Sequence, residues 1–345
     1  MSNRQEESRP SQEPPAQAVI LEMMWMGLLV SRALHVAAEL NIADLLVAGP
    51  RSPSDLASAT SANEDALRRL LRMLASHGVF SEDEDGRFGL TALADVLRSD
   101  VAGSIRDAIR MVDEGYWNTV GHLLDSVMTG RPAFEKVLGF PAFEYRARHP
   151  EVNERFARGM ANISALENPA IARAYDFSPF KKVIDVGGGK GGFIAEVLKA
   201  NPNLTGILCD EEHVVADPAY LSAARVADRC EIVGVNFFDA VPFGADVYIL
   251  KRILHDWDDE PALRILRVCR NAIPAHGRVL GIDAVVPHGN TLHWSKDIDI
   301  LMMVETGGRE RTEEEFRDLY RKGGFTLTRV IPTELTLSIV EGTPS

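Results

Sequence analysis

The chain has 345 residues, 46% of them apolar, with a formal net charge of −13 and an isoelectric point near 5.2. That supports a large core and about two domains, and the acidic charge repels phosphate backbones, so nucleic acid is not expected as a partner. The three cysteines, Cys209, Cys230 and Cys269, form no C-x-x-C pair and are odd in number, which argues against a disulfide framework and for a reducing, cytoplasmic setting.

Residues 1–15 are polar and proline-containing and are expected to be a disordered tail without the apolar centre of a signal peptide. From 18 to 48 the apolar residues recur at helical spacing, Leu21, Met24, Trp25, Leu28 and Leu29 first, then Leu34, Ala37, Ala38 and Leu45. The run AVILEMMWMGLLV carries Glu22 and is too short to span a bilayer, so no membrane is expected and the run reads as the start of a buried helix. Its wide stripe, rich in Met and aromatics, favours burial between two copies of the chain over burial within one.

Next come a helix capped by Ser52 with Pro53 at its first position, and a second helix, NEDALRRLLRMLASHG, closed by Gly78. VFSEDEDGRFGLT then reads as a hairpin turning at Asp85-Gly86. Helix, turn, helix, hairpin is the order of a winged helix. Its second helix has a basic edge in Arg68, Arg69 and Arg72, but Glu82, Asp83, Glu84 and Asp85 give the wing the wrong sign for DNA. The same module can serve as a dimerisation element. The predicted divisions are therefore a tail over 1–15, a winged-helix-like domain over 16–105, and everything beyond over 106–345.

Residues 104–175 read as mostly helical, broken near Gly130-Arg131-Pro132 and Gly139 to Pro141. From about 182, strands VIDVGGG, LTGILCD, EIVGVNFF, ADVYILK and GRVLGIDAVV alternate with helices, which predicts a doubly wound parallel α/β sheet of Rossmann-like type. FTLTRVIP and LTLSIVEG predict a terminal hairpin adding an antiparallel edge strand.

In such sheets the ligand lies beyond the carboxyl ends of the strands. There the first strand continues as Asp185-Val186-Gly187-Gly188-Gly189-Lys190-Gly191-Gly192. The glycines fit both the dinucleotide fingerprint and a D-x-G-x-G-x-G pattern. Asp185 just ahead of the loop suits a cationic ligand better than a pyrophosphate. Asp210 closes the next strand, where a carboxylate can accept from ribose hydroxyls of either ligand.

One histidine stands out. In ILKRILHDWDDE, His255 follows a strand and precedes Asp256, Asp258, Asp259 and Glu260. The later acids read as the start of a helix, where carboxylates suit the dipole. Adjacent residues on one turn diverge, so no metal is expected. Trp257 reads as core.

With these stretches in hand, the chain resembles the S-adenosylmethionine (SAM)-dependent O-methyltransferases that include plant phenolic enzymes, acetylserotonin methyltransferase and bacterial antibiotic-tailoring enzymes. The resemblance rests on RALHVAAELNIADLL, the winged-helix segment, RFARGMANIS, VIDVGGGKGGF, LKRILHDWDDE and GGRERTEEEF in that order. It implies an N-terminal winged-helix dimerisation domain, a homodimer, and a Rossmann-like SAM domain over the rest. Asp185, Gly187, Gly189, Asp210, Lys251 and Ser164 would line SAM. The adenine segment falls on Gly234-Val235-Asn236-Phe237-Phe238, with Asn236 where the family usually has Asp. The family's general base falls on His255, flanked by Asp283 and Glu310, either of which could orient it. Phe156, Met160, Asp256 and Met303 would line the pocket for a small aromatic acceptor; Glu305 lies where the alignment slips by a residue. Alternatives are the same fold and cofactor used for hydroxylation, decarboxylation or pericyclic chemistry, a nicotinamide-dependent dehydrogenase, and a ligand-sensing winged-helix regulator.

Overall fold

The computed structural model describes residues 14–217 and 219–345. All but the last two residues of the expected tail lie outside them. The described residues form two compact units, one ending at residue 110 and the other running over residues 111–345.

The first unit opens with a 24-residue helix, Ala16–Glu39. It does not run on to 48 as the periodicity predicts. Asn41 sits in the left-handed region at φ 55° and starts a separate turn, Ile42–Leu45, a conformation asparagine tolerates at helix ends. Nor is the start of the helix buried within the chain. Only Ala33, Ala37 and Ala38 are buried, while Ile20, Leu21, Met23, Met24, Trp25 and Leu28 are exposed. One glutamate does not interrupt a helix, so this element is long and apolar enough to cross a membrane by length and composition alone.

Helices Pro53–Thr60 and Glu64–Ser76 follow, the first capped by the Ser52 side chain accepting from the Asp55 amide at 3.1 Å, the second by Asn63. The hairpin pairs β1, Phe80–Glu82, with β2, Phe88–Leu90, around Gly86 at φ 72°. Ile42, Leu46, Leu56, Leu71, Phe80 and Phe88 form the core of this unit.

The second unit begins with short helices separated at Gly130 and Gly139, both in left-handed conformation. A 25-residue helix, Pro150–Ala174, leads into the sheet. Its strands are β3 (Lys182–Val186), β4 (Thr205–Asp210), β5 (Cys230–Gly234), β6 (Val247–Lys251), β7 (Arg278–Asp283), β8 (Phe325–Pro332) and β9 (Ser338–Pro344). They lie in the order β5-β4-β3-β6-β7-β9-β8, with β3 to β7 parallel. The terminal hairpin forms, but its antiparallel strand is not at the edge. β9 inserts between β7 and β8 and runs antiparallel to both. β5 also stops at Gly234, short of the predicted EIVGVNFF, because the Asn236 side chain accepts from the Phe238 amide at 2.9 Å and turns the chain away.

The strand order reverses between β3 and β6. That switch point opens a crevice at their carboxyl ends, which places the glycine loop after β3 beside the His255 turn after β6.

Candidate active site

The glycine loop is held by its surroundings. A side-chain carbon at Gly187 would overlap Ile253, and one at Gly188 would come within 2.6 Å of Leu208 and 2.7 Å of Asp185. At Gly189, φ is +60° and such a carbon would meet nothing within 4 Å, so the backbone there faces open space. Gly191, also left-handed, starts the helix Gly192–Ala200, whose first amides point toward the crevice.

Asp185 is buried, and its Oδ2 has no partner among the described residues; burial pushes its carboxyl up to about 7. Asp210 accepts from the Gly189 amide at 2.9 Å and the Glu211 amide at 2.7 Å, and burial raises its pKa. Phe237 is half-buried beside Gly187, and Asn236 is exposed. Lys251, at the end of β6, donates to Ser164 Oγ at 3.2 Å and lies 3.4 Å from Glu167; burial lowers its pKa. Glu167 also pairs with Arg252. Glu167 and Arg252 were not legible as site residues, since they meet across 85 positions of sequence.

These features suit SAM. An orphaned buried carboxylate, an open glycine backbone and a carboxylate at the end of the second strand match a cationic amino-acid end and a ribose.

After β6, Arg252 takes φ 55° and the chain enters a tight turn, Leu254–Asp256. His255 on that turn is 5% exposed. Its Nδ1 lies 2.7 Å from Glu310 Oε1, and its Nε2 lies 3.6 Å from Asp256 Oδ1. Asp283, at the end of β7, is fully buried, yet both its carboxylate oxygens lack a partner among the described residues. Burial pushes Asp283 up to about 6 and Glu310 up to about 8, against the downward pull of Arg252 and Arg311.

The turn is clamped from the 308–311 segment. The Arg309 amide donates to the His255 carbonyl at 2.8 Å. The buried Arg311 guanidinium donates to the carbonyls of Leu254 at 2.9 Å and Trp257 at 3.0 Å, and to Asp259. A side-chain carbon at Gly308 would overlap the His255 carbonyl. Arg311 and Gly308 lie inside the motif that supplies Glu310, yet their structural task was not read from it. Asp258 caps the helix Asp259–Ala272 through the Asp259 amide at 2.8 Å. Among the described residues no group of three or more His, Cys, Asp or Glu could hold a metal.

Trp257 is packed between Phe143, stacked at 5.4 Å, and Phe238, edge-on at 4.7 Å. Beyond Phe143 lies a cavity of about 290 Å³ whose lining includes Tyr116, Phe134, Tyr145, Arg146 and Phe156. Met160 and Met303 are half-buried and do not line it. Arg146 pairs with Glu305 at 3.3 Å across 159 positions and covers the Phe156 ring at 4.0 Å.

Comparisons with known proteins identify the family. Residues 120–326 match the O-methyltransferase domain family, and residues 24–100 the O-methyltransferase dimerisation domain. The chain is 44% identical to a phenazine O-methyltransferase of Lysobacter antibioticus, covering 96% of this chain and 97% of that one. It is 40% identical to a mitomycin biosynthesis 6-O-methyltransferase of Streptomyces lavendulae, covering 91% and 89%. Among solved structures, the calicheamicin biosynthesis methyltransferase CalO1, in its S-adenosylhomocysteine (SAH)-bound form, superposes with a TM-score of 0.84 at 42% identity over 97% of this chain and all of that one. The chain belongs to the O-methyltransferase family and is a SAM-dependent O-methyltransferase.

Proposed function

We propose that the protein methylates a phenolic or enolic hydroxyl on a small aromatic acceptor of secondary metabolism, with His255 as general base and Glu310 as its orienting acid. The observation that carries this reading is the 2.7 Å contact between His255 Nδ1 and Glu310 Oε1 in a buried turn. A carboxylate on Nδ1 fixes the proton there and leaves Nε2 free to accept one. A phenol has a pKa of about 10, so below that pH it needs such a base, and a positioned imidazole contributes on the order of 10²–10⁴-fold. Bound SAM supplies an activated methyl group. Asp185, Gly187, Gly189 and Asp210 would hold it on the β3 side, Lys251 and Ser164 on the β6 side, with Asn236 and Phe237 at the adenine. Phe156, Met160, Asp256 and Met303 are proposed on the acceptor side. Asp283, whose carboxyl feels the His255 charge, would steady the charge that His255 gains without orienting the ring.

The assignment of phenolic acceptors is also supported by relatives such as a 3-amino-4-hydroxybenzoate 4-O-methyltransferase of Streptomyces cremeus, 35% identical over 94% of this chain. We further propose a cytoplasmic homodimer in which the exposed apolar face of Ala16–Glu39 is covered by a second copy, since the dimerisation family model covers that helix from residue 24 onward.

The test of the chemistry is calorimetric titration with SAM alongside a methyl-transfer assay on simple phenols, for the wild type and His255→Ala. The variant should bind SAM with unchanged affinity and lose about 10²–10⁴-fold in turnover. Equal loss of SAM binding would remove His255 from the role of base.

A further inference from the structure

Arg146 is a buried cation to which the proton-transfer chemistry at His255 assigns no role. It is 5% exposed, and three rings surround its guanidinium, Phe156 at 4.0 Å, Phe143 at 5.6 Å and Phe134 at 5.7 Å. Its polar partners are Glu305 Oε2 at 3.3 Å and the Tyr116 hydroxyl at 3.4 Å, both reached through Nη2. Among the described residues, Nη1 and Nε donate to none. Glu305 Oε1 is buried and likewise has no partner.

A purely structural ion pair would close its fork and its carboxylate on each other, because buried charge is costly unless its hydrogen bonds are met. Here most of the fork is left over, and Arg146 lines the cavity of about 290 Å³. Arg146 links that cavity to the catalytic turn through ring contacts. Phe143, under Arg146, stacks on Trp257 two residues beyond His255, and Asp256 feels the Arg146 charge.

We propose that Arg146, backed by Glu305, is the acceptor-recognition residue of this enzyme, taking a ring-borne carbonyl or carboxylate oxygen of an aromatic acceptor whose hydroxyl is presented to His255. The proposal rests on the methyl-transfer reading. A planar guanidinium donates to a carbonyl singly or to a carboxylate as a pair of parallel bonds. The surrounding rings supply flat apolar contact for the rest of the acceptor. An analogue lacking the oxygen forfeits the bonds to these donors, and a site built to hydrogen-bond a substrate group discriminates strongly against analogues without it. Burial pushes Glu305 up to about 7; when it is protonated, Arg146 carries an uncompensated charge and the carboxylate is favoured.

The test uses the full-length protein loaded with SAH and three probes sharing one ring system and one hydroxyl position: a hydroxynaphthoate, the matching hydroxynaphthamide, and the unsubstituted naphthol. Calorimetry should show the first two binding at least about tenfold tighter than the naphthol. In the Arg146→Leu/Glu305→Leu double variant the three should converge, with naphthol and SAH affinities unchanged. A naphthoate preferred over the naphthamide identifies an ionic partner, and equal binding identifies a carbonyl hydrogen bond; both support the assignment. A wild type that binds naphthol as well as the other two overturns it, whether or not the double variant folds, and so does a preference that survives in the variant. Failure of the wild type to bind SAH would instead remove the methyl-transfer reading itself.

Discussion

Glu310→Gln isolates the role of the carboxylate without changing its shape. The amide oxygen can still accept from His255 Nδ1, so the ring keeps its orientation, but the negative charge that stabilises the protonated imidazole is gone. The bond replaced is a 2.7 Å contact to a buried acid, and hydrogen bonds to charged groups are worth about 1.5–3 kcal/mol. Lost only where the imidazole becomes charged, that amounts to roughly a 10- to 150-fold fall in kcat/KM with SAM affinity intact. The pH profile sharpens the test. Burial holds the Glu310 carboxyl up at about 8. As pH falls through that value the acid takes up a proton, donates to Nδ1, and leaves the proton of the imidazole on the nitrogen that should act as base. Wild-type activity should therefore rise through about pH 8, and in Glu310→Gln that limb should vanish. Steady-state rates of methyl transfer to a phenol across the pH range, with SAM titrations beside them, make the measurement. A variant within threefold of wild type, or one whose limb near pH 8 persists, refutes the pairing. Asp283→Asn is the comparator and should cost less, because Asp283 makes no hydrogen bond to His255.

Three further outcomes are expected. Asp185, Asp283, Glu305 and Glu310 are all raised by burial, to about 7, 6, 7 and 8. Between the ordinary carboxylate range and those values the folded chain binds more protons than the unfolded one, so stability falls as pH rises. The Tm of the ligand-free protein should drop from pH 5 to pH 8, and a flat or rising curve would contradict the burial. Gly308→Ala should displace the His255 turn, lowering turnover by at least about tenfold while SAM still binds; near-normal turnover would show that the turn tolerates the shift. Met24→Glu/Leu28→Glu places charges on the exposed face of Ala16–Glu39 and should yield monomers in sedimentation experiments at micromolar concentration. A dimer that survives them would place the interface elsewhere.

Local chemistry in the sequence was enough for much of the framework. Ser52 and Pro53 start a helix, Gly130 and Gly139 end others, and Asp85-Gly86 turns a hairpin, because each acts through bonds a few residues long. The buried strands of the parallel sheet are continuous apolar runs bounded by such signals, and the glycine loop and His255 turn announce themselves at the ends of two of them. The rest depended on residues far apart in sequence. Which acid holds His255 was open between Asp283 and Glu310, and only packing put Glu310 on Nδ1 across 55 positions. β9 sits inside the sheet because its pairing with β7 is set by tertiary register, which its own residues do not encode. Arg146 gives no signal in one dimension; only the fold buries it and sets Glu305 and Phe156 against it. Motif and turn chemistry are local and survive in one dimension, whereas burial and the pairing of distant charges exist only once the chain has closed on itself.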